Sequence, residues 1–261
     1  MSAQREVVAA LTEAGVLDGI RWAYRSATAA TLEIYSEEAG FDHTWAGMTR
    51  FTLFRDRLDR VFACDRYAVR DGGDATVSLD LLHAHLTELD IATMPDLPTD
   101  LVERADLNGS PGWAWRNVRW LLASVPYGRI DQVPWTSKSL TKQRVALQRN
   151  PDPAQPSLFD GAVAAELGGL EALLVRRTEL DRTTLVVAHS QDVDHGDVEL
   201  ALGWPRLNVG GGAAWHWYED LLRTAPAEGA RRYDGTPLPA ALDTSPDAPV
   251  QLRRHLATGE R

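Results

Sequence analysis

Cysteine occurs once in the 261 residues, at Cys64, and lysine only twice, at Lys138 and Lys142. A single cysteine excludes an intrachain disulfide, a CxxC redox pair and a thiolate-rich zinc site. Scarce lysine excludes more. A Walker loop needs Gly-Lys-Ser/Thr so that the lysine reaches the phosphates, and neither lysine follows a glycine. Metal-dependent nucleases of the PD-(D/E)xK kind place an acid two residues ahead of a lysine, whereas Thr136 and Leu140 stand there. HExxH, GxSxG, strand-borne GxGxxG and kinase signatures are also missing. No window holds the roughly 18 to 20 apolar residues of a spanning helix. The first residues, Met1 to Val8, show no basic segment leading into a long apolar one. The expectation is a soluble, cytoplasmic protein.

Acid is in excess. Against 37 Asp+Glu stand 27 Lys+Arg, a formal net charge of −10, which excludes a chain that is basic throughout and coats nucleic acid. With 44% hydrophobic and 25% charged residues the composition is ordinary for a globular protein that buries a core. The 25 arginines, with much Ala, Asp and Gly, follow the bias of GC-rich bacterial coding and carry no function as a group. Charge is nevertheless segregated. Residues 71–108 hold nine acids and one arginine, whereas residues 129–149 hold five basic residues, both lysines among them, and one aspartate.

Periodicity predicts an α+β protein with a mainly helical N-terminal part and a β-hairpin-containing C-terminal part. Helices are expected over residues 4–17, over Thr49–Cys64, over Ser78–Ile91 and over Trp113–Ser124, with a short strand at 29–35. In the second of these helices Phe51, Phe54, Leu58, Val61 and Phe62 share one face, and Arg55, Asp56, Arg57, Asp59 and Arg60 fall on an outer one. Residues 126–156 read as a cationic, Pro-containing linker or loop between a 1–125 domain and a 157–223 α+β unit. Within that unit Ser157–Val175 reads as helical. Thr183–His189 and Val198–Leu202 read as strands joined by a turn at 191–197, and Trp215–Leu222 as a short helix. A Pro-rich tail occupies 224–261.

Three groups of residues carry chemistry. Lys138, Lys142 and Arg144, set among Thr136, Ser137, Ser139 and Thr141, form a hydroxyl-rich cationic strip suited to a phosphate, a nucleic-acid backbone or an acidic surface, including the chain's own 71–108 stretch. Ser139 and Lys142 also match SxxK, but the companion motifs of that chemistry are missing. Asp192, Asp194 and His195, with Asp197 and Glu199 nearby, are candidate metal ligands. They miss the calcium-loop pattern, which wants Gly at position six and Glu at twelve where Asp197 and Gly203 stand. A solvated hairpin tip is the plainer account. His83 and His85, two apart, diverge on a helix and suit one packed and one surface histidine. Trp113 and Trp120 share a helical face with Trp115 elsewhere, and Trp135 alone lies in the cationic strip, where it would stack a base.

The third group is Gln155-Pro-Ser-Leu-Phe159. It resembles the short Gln-Leu-Ser/Asp-Leu-Phe peptide by which bacterial polymerases and repair factors dock on the DNA sliding clamp. That resemblance implies Leu158 and Phe159 in an apolar pocket with Gln155 at its rim. Ser157 as a helix N-cap is the competing account. Together these readings point to an accessory protein without a cofactor. It would engage a macromolecular partner through residues 126–156, protein first and nucleic acid through the 129–149 strip, in DNA metabolism or defence against foreign DNA. Two alternatives remain: a metal-dependent hydrolase or nuclease using the Asp/His cluster, and an acidic inhibitor of a basic partner using residues 71–108.

Overall fold

A computed structural model describes residues 3–68, 80–148, 180–209 and 211–223. The expected helix at Ser157–Val175, the peptide containing Gln155, Leu158 and Phe159, and the 224–261 tail lie outside the described residues. The N-terminal apolar period forms two helices, α1 (Ala3–Glu13) and α2 (Val16–Ile34), because Gly15 between them sits at φ 76. The expected strand at 29–35 is the last part of α2. Its few β-branched residues follow an alanine-rich helical run, and Thr31 closes its hydroxyl on the Ala27 carbonyl at 2.7 Å. Helix α3 (His43–Val61) starts six residues earlier than the apolar pattern predicts, at Asp42, whose carboxylate accepts from the Trp45 amide at 2.7 Å.

The predicted Ser78–Ile91 helix is interrupted. His85 turns left-handed at φ 62, and a Thr87/Asp90 capping box starts a new helix, α4 (Glu88–Thr93).

The predicted helix at Trp113–Ser124 is instead a β-hairpin of β2 (Gly112–Trp115) and β3 (Val118–Ser124), preceded by β1 (Glu103–Arg104). Trp113 faces Trp120 directly across the pair, and Trp115 joins both in the same core. Its two-residue turn places Arg116 at φ 54, with the guanidinium 4.3 Å over the Trp115 ring. Nearly every residue of β2 and β3 is buried, so no polar alternation betrays the strands. The expected hairpin downstream is present as β4 (Thr183–Gln191) and β5 (Val198–Pro205), whereas the predicted helix at 215 is strand β6 (Trp215–Asp220).

All six strands form one sheet in chain order, antiparallel except for β3 and β4, which run parallel. The described residues before and after the 126–156 segment therefore share one sheet. Helices α2 and α3 cover one face, packing Ile20, Tyr24, Phe54, Leu58 and Phe62 with Trp113, Trp120, Leu185 and Val187. On the other face Ile130, Val133, Trp135, Val145 and Ala146 pack against Leu121, Val186, Ala188 and Trp215. The described part of the expected linker is thus a covering layer, and it contains the short helix α5 (Leu140–Ala146).

The charged face of α3 is not an outer one. Arg57, Asp59 and Arg60 are buried. Asp56 accepts from Arg57 at 2.7 Å, from Arg60 at 2.8 Å, from the Tyr67 hydroxyl at 2.7 Å and from Arg66. Asp59 pairs with Arg104 and accepts from Trp113 Nε1 at 2.9 Å. Arg60 also caps the carbonyls of Leu81 and Leu82, so the chain at 81–82 and at Arg104 closes over this face. Among the described residues no helix is long and apolar enough to cross a membrane.

Candidate functional site

The early start of α3 sets a stripe of residues in register. His43, Ala46, Gly47 and Arg50 fall at i, i+3, i+4 and i+7, and all four line one cleft of about 520 Å³. Its other wall is the C-terminal end of the parallel pair: Ser124 closes β3 and runs into Val125, Pro126 and Tyr127, while Gln191 closes β4 and runs into Asp192 and Val193. Because parallel neighbours end side by side here and then diverge, a crevice opens at their carboxyl ends, the usual ligand position in sheets with parallel strands.

Arg50 dominates the electrostatics. It is 4% exposed, and its guanidinium meets only neutral groups, Gln191 Oε1 at 3.2 Å and Ser124 Oγ at 3.4 Å. Among the described residues its Nε has no partner, and neither has the enclosed Nε2 of Gln191. Burial pulls the Arg50 pKa below its ordinary value. Lys138 donates Nζ to the Ser124 carbonyl at 2.7 Å, at the same wall. Burial depresses the pKa of both lysines, and Lys142 is lowered further by the charge of Lys138. Buried arginines elsewhere, Arg57, Arg60 and Arg119, each pair with an aspartate, whereas among the described residues Arg50, Lys138 and Lys142 form no ion pair. Among the described acids near 80–108, Glu103 pairs with Arg182, and Asp59 and Asp106 share Arg104.

Behind the cleft lies His189, fully buried among Tyr24, Phe51 and Phe54, with ring centroids at 6.0, 6.2 and 5.3 Å. Neither ring nitrogen has a hydrogen-bond partner among the described residues. Burial, and then the positive charges of Arg50, Lys142 and Lys138, hold its pKa well below the ordinary histidine value, so the imidazole is neutral. Tyr24 donates its hydroxyl to the Ser190 carbonyl, and burial pushes its pKa up to about 12. The buried charge of Arg50 and the ammonium of Lys138 at the wall of this crevice are suited to a bound anion.

Of the nearby acids, Asp192 is in the cleft lining itself. Asp192 receives His195 Nδ1 at 2.8 Å and the Asp194 amide at 3.0 Å, and Gly196 at φ 74 closes the turn, so this hairpin tip satisfies itself. Glu199 accepts from Ser190 Oγ at 2.5 Å and from the Gly128 amide at 2.9 Å. Asp194 instead meets Glu37 and His43, their ligating atoms all within 4.8 Å, among exposed side chains. Asp192, Asp194 and His195 are therefore not drawn to one centre as a trio.

Of the cationic strip, Lys138 reaches the Ser124 carbonyl at the cleft wall, Lys142 is not among the lining residues, and Arg144 lies half-buried on α5. Trp135 cannot stack a base: it is fully buried, edge-on to Trp215 at 5.0 Å, with Nε1 donating to the Ala214 carbonyl. Arg50, Gly47, Ser124 and Gln191 are the residues that sequence reasoning missed. The signal that could have found the first two was the i, i+3, i+4, i+7 run of His43, Ala46, Gly47 and Arg50, hidden by starting the helix at Thr49. Cys64 has no part in the site. It is buried, and burial pushes its thiol up to about 12. No family model matches the chain, and neither a curated protein nor a solved structure shows significant similarity to it.

Proposed function

We propose that this protein binds a phosphate-bearing ligand in the cleft between α3 and the ends of β3 and β4, and that it serves as an accessory protein in nucleic-acid metabolism. The observation that supports this is Arg50, a buried cation of the cleft lining without a counter-charge among the described residues, with Lys138 donating to the Ser124 carbonyl of the same wall. A lone buried charge costs several kcal/mol, and a ligand anion is the partner that would offset it. The acidic remainder of the surface restricts such contact to one place. The test is fluorescence anisotropy with a labelled, 5′-phosphorylated oligonucleotide. Arg50→Ala and the pair Lys138→Glu, Lys142→Glu should each weaken binding at least tenfold. Affinity should fall with salt at a log–log slope of only about −2 to −3, as a few phosphate contacts require. Binding untouched by these substitutions removes the proposal.

A second reading, metal-assisted hydrolysis of the bound phosphate, draws on Glu37, His43 and Asp194, since His43 also lines the cleft. It requires that millimolar Mn²⁺ or Zn²⁺ raise the melting temperature and that His43→Ala abolish the rise. A melting temperature indifferent to these ions excludes it.

A further inference from the structure

We infer that the ligand of this cleft is a nucleoside phosphate, with its base on the Tyr127 ring, its body along the helix backbone at Gly47 and its phosphate toward Arg50. The inference rests on the anion-binding reading and specifies the ligand. Gly47 is the first reason. It lies inside α3, where glycine is destabilising relative to alanine, and a Cβ built there meets no atom of the described residues within 4 Å. Neither packing nor backbone conformation requires glycine at this place. Its open side is the cleft, so the missing side chain leaves room that no described residue fills, and buried Ala46 beside it keeps that strip of helix flat.

Tyr127 is the second reason. It lines the same cleft at 43% exposure and contacts no other aromatic ring among the described residues. A phenol ring presented this way is a stacking surface for a flat partner. The cleft is also far larger than an inorganic phosphate needs, and its volume falls in the range of small-molecule sites. Polarity supplies the third reason. Both Arg50 and the Asp192 carboxylate belong to the lining, so the cleft offers one cation for an anionic group and one acceptor for a hydrogen-bond donor. What fits is one anionic end and one neutral end that donates hydrogen bonds, as base amino groups and ribose hydroxyls do.

Two sources offer this chemistry, a free mononucleotide and the terminal nucleotide of a single strand. Isothermal titration would compare nucleoside 5′-monophosphates, ribose 5-phosphate, inorganic phosphate, and a short single strand with and without its 5′-phosphate. Nucleoside monophosphates should bind at least tenfold tighter than ribose 5-phosphate. Tyr127→Ala should weaken them about tenfold and leave ribose 5-phosphate unchanged, with Tyr127→Phe restoring affinity. Gly47→Leu should block every ligand, and circular dichroism of each variant checks that it folds. A phosphorylated strand that binds more tightly than the mononucleotide identifies the strand end as the source, and the reverse identifies the free nucleotide. Equal affinity for ribose 5-phosphate and nucleotide, or indifference to Tyr127→Ala, overturns this inference and leaves the anion site standing. Failure of phosphate, nucleotides and strands alike overturns both.

Discussion

Arg50→Met should make this protein more stable while it destroys anion binding, and the size of the gain follows from what surrounds the guanidinium. Desolvating a cation costs several kcal/mol even after relaxation. Arg50 recovers little of it, through two long hydrogen bonds to neutral oxygens at 3.2 and 3.4 Å, each contributing about 1 kcal/mol or less. Methionine keeps most of the buried volume and removes the charge, so a net gain of about 1 to 3 kcal/mol is expected. For a unit of this size that is a rise of roughly 3 to 10 °C in melting temperature, read by scanning calorimetry. Arg60→Met is the control, because Arg60 is as buried but bound to Asp56 and to two backbone carbonyls. It should lose about 2 to 3 kcal/mol, less than a fully orphaned pair because Arg57 and Arg66 still hold Asp56. If Arg50→Met lowers the melting temperature as Arg60→Met does, Arg50 is a structural residue and the reasoning fails.

Further outcomes follow from the same structure. Burial would raise the Asp56 pKa, but hydrogen bonds from Arg60, Tyr67 and Arg66 outweigh it and hold it at about 2. Since the folded value lies below the unfolded one, this group contributes about 2 kcal/mol above pH 4 that is lost as pH falls towards 2. Denaturant titrations of the protein and of Asp56→Asn should show that pH dependence shrink in the variant. Cys64, with its thiol raised to about 12, should resist a thiol reagent at pH 8 in the folded protein and react at once in denaturant. Gly47→Ala should raise the melting temperature by an amount equivalent to about 0.5 to 1 kcal/mol, and an unchanged or lower value would mean that α3 needs glycine for itself. Phe54→Ala, which empties a fully buried position against Tyr24 and His189, should cost about 3 to 5 kcal/mol in chemical denaturation.

Much of the site was legible in part. The scarcity of lysine drew attention to Lys138 and Lys142, of which Lys138 donates to the Ser124 carbonyl at the cleft wall. Arg50 was not legible, because one arginine among 25 has no mark in sequence that separates a buried, unpaired cation from an exposed one. The same blindness misread α3: Arg57, Asp59 and Arg60 pattern as a solvated face, and only the chain at 81–82 and at Arg104, distant in sequence, buries them.

The amino-acid sequence by itself determined the local features whose cause is local. The β4–β5 hairpin follows from a β-branched run, an Asp/Gly turn and a second strand. The single cysteine, the missing lysine motifs and the acidic balance exclude whole classes of chemistry without any fold. Tertiary structure alone decided the rest. Trp113–Ser124 became strands because Trp113 and Trp120 pair across a tight turn and bury against α3, a long-range gain that outweighs the helical reading of a segment apolar on both faces. Residues 126–148 became a packed layer because the parallel join of β3 to β4 leaves a sheet face for them to cover. The cleft exists for the same reason: only when β3 and β4 end together do Ser124, Gln191 and Arg50, scattered over the sequence, stand around one space.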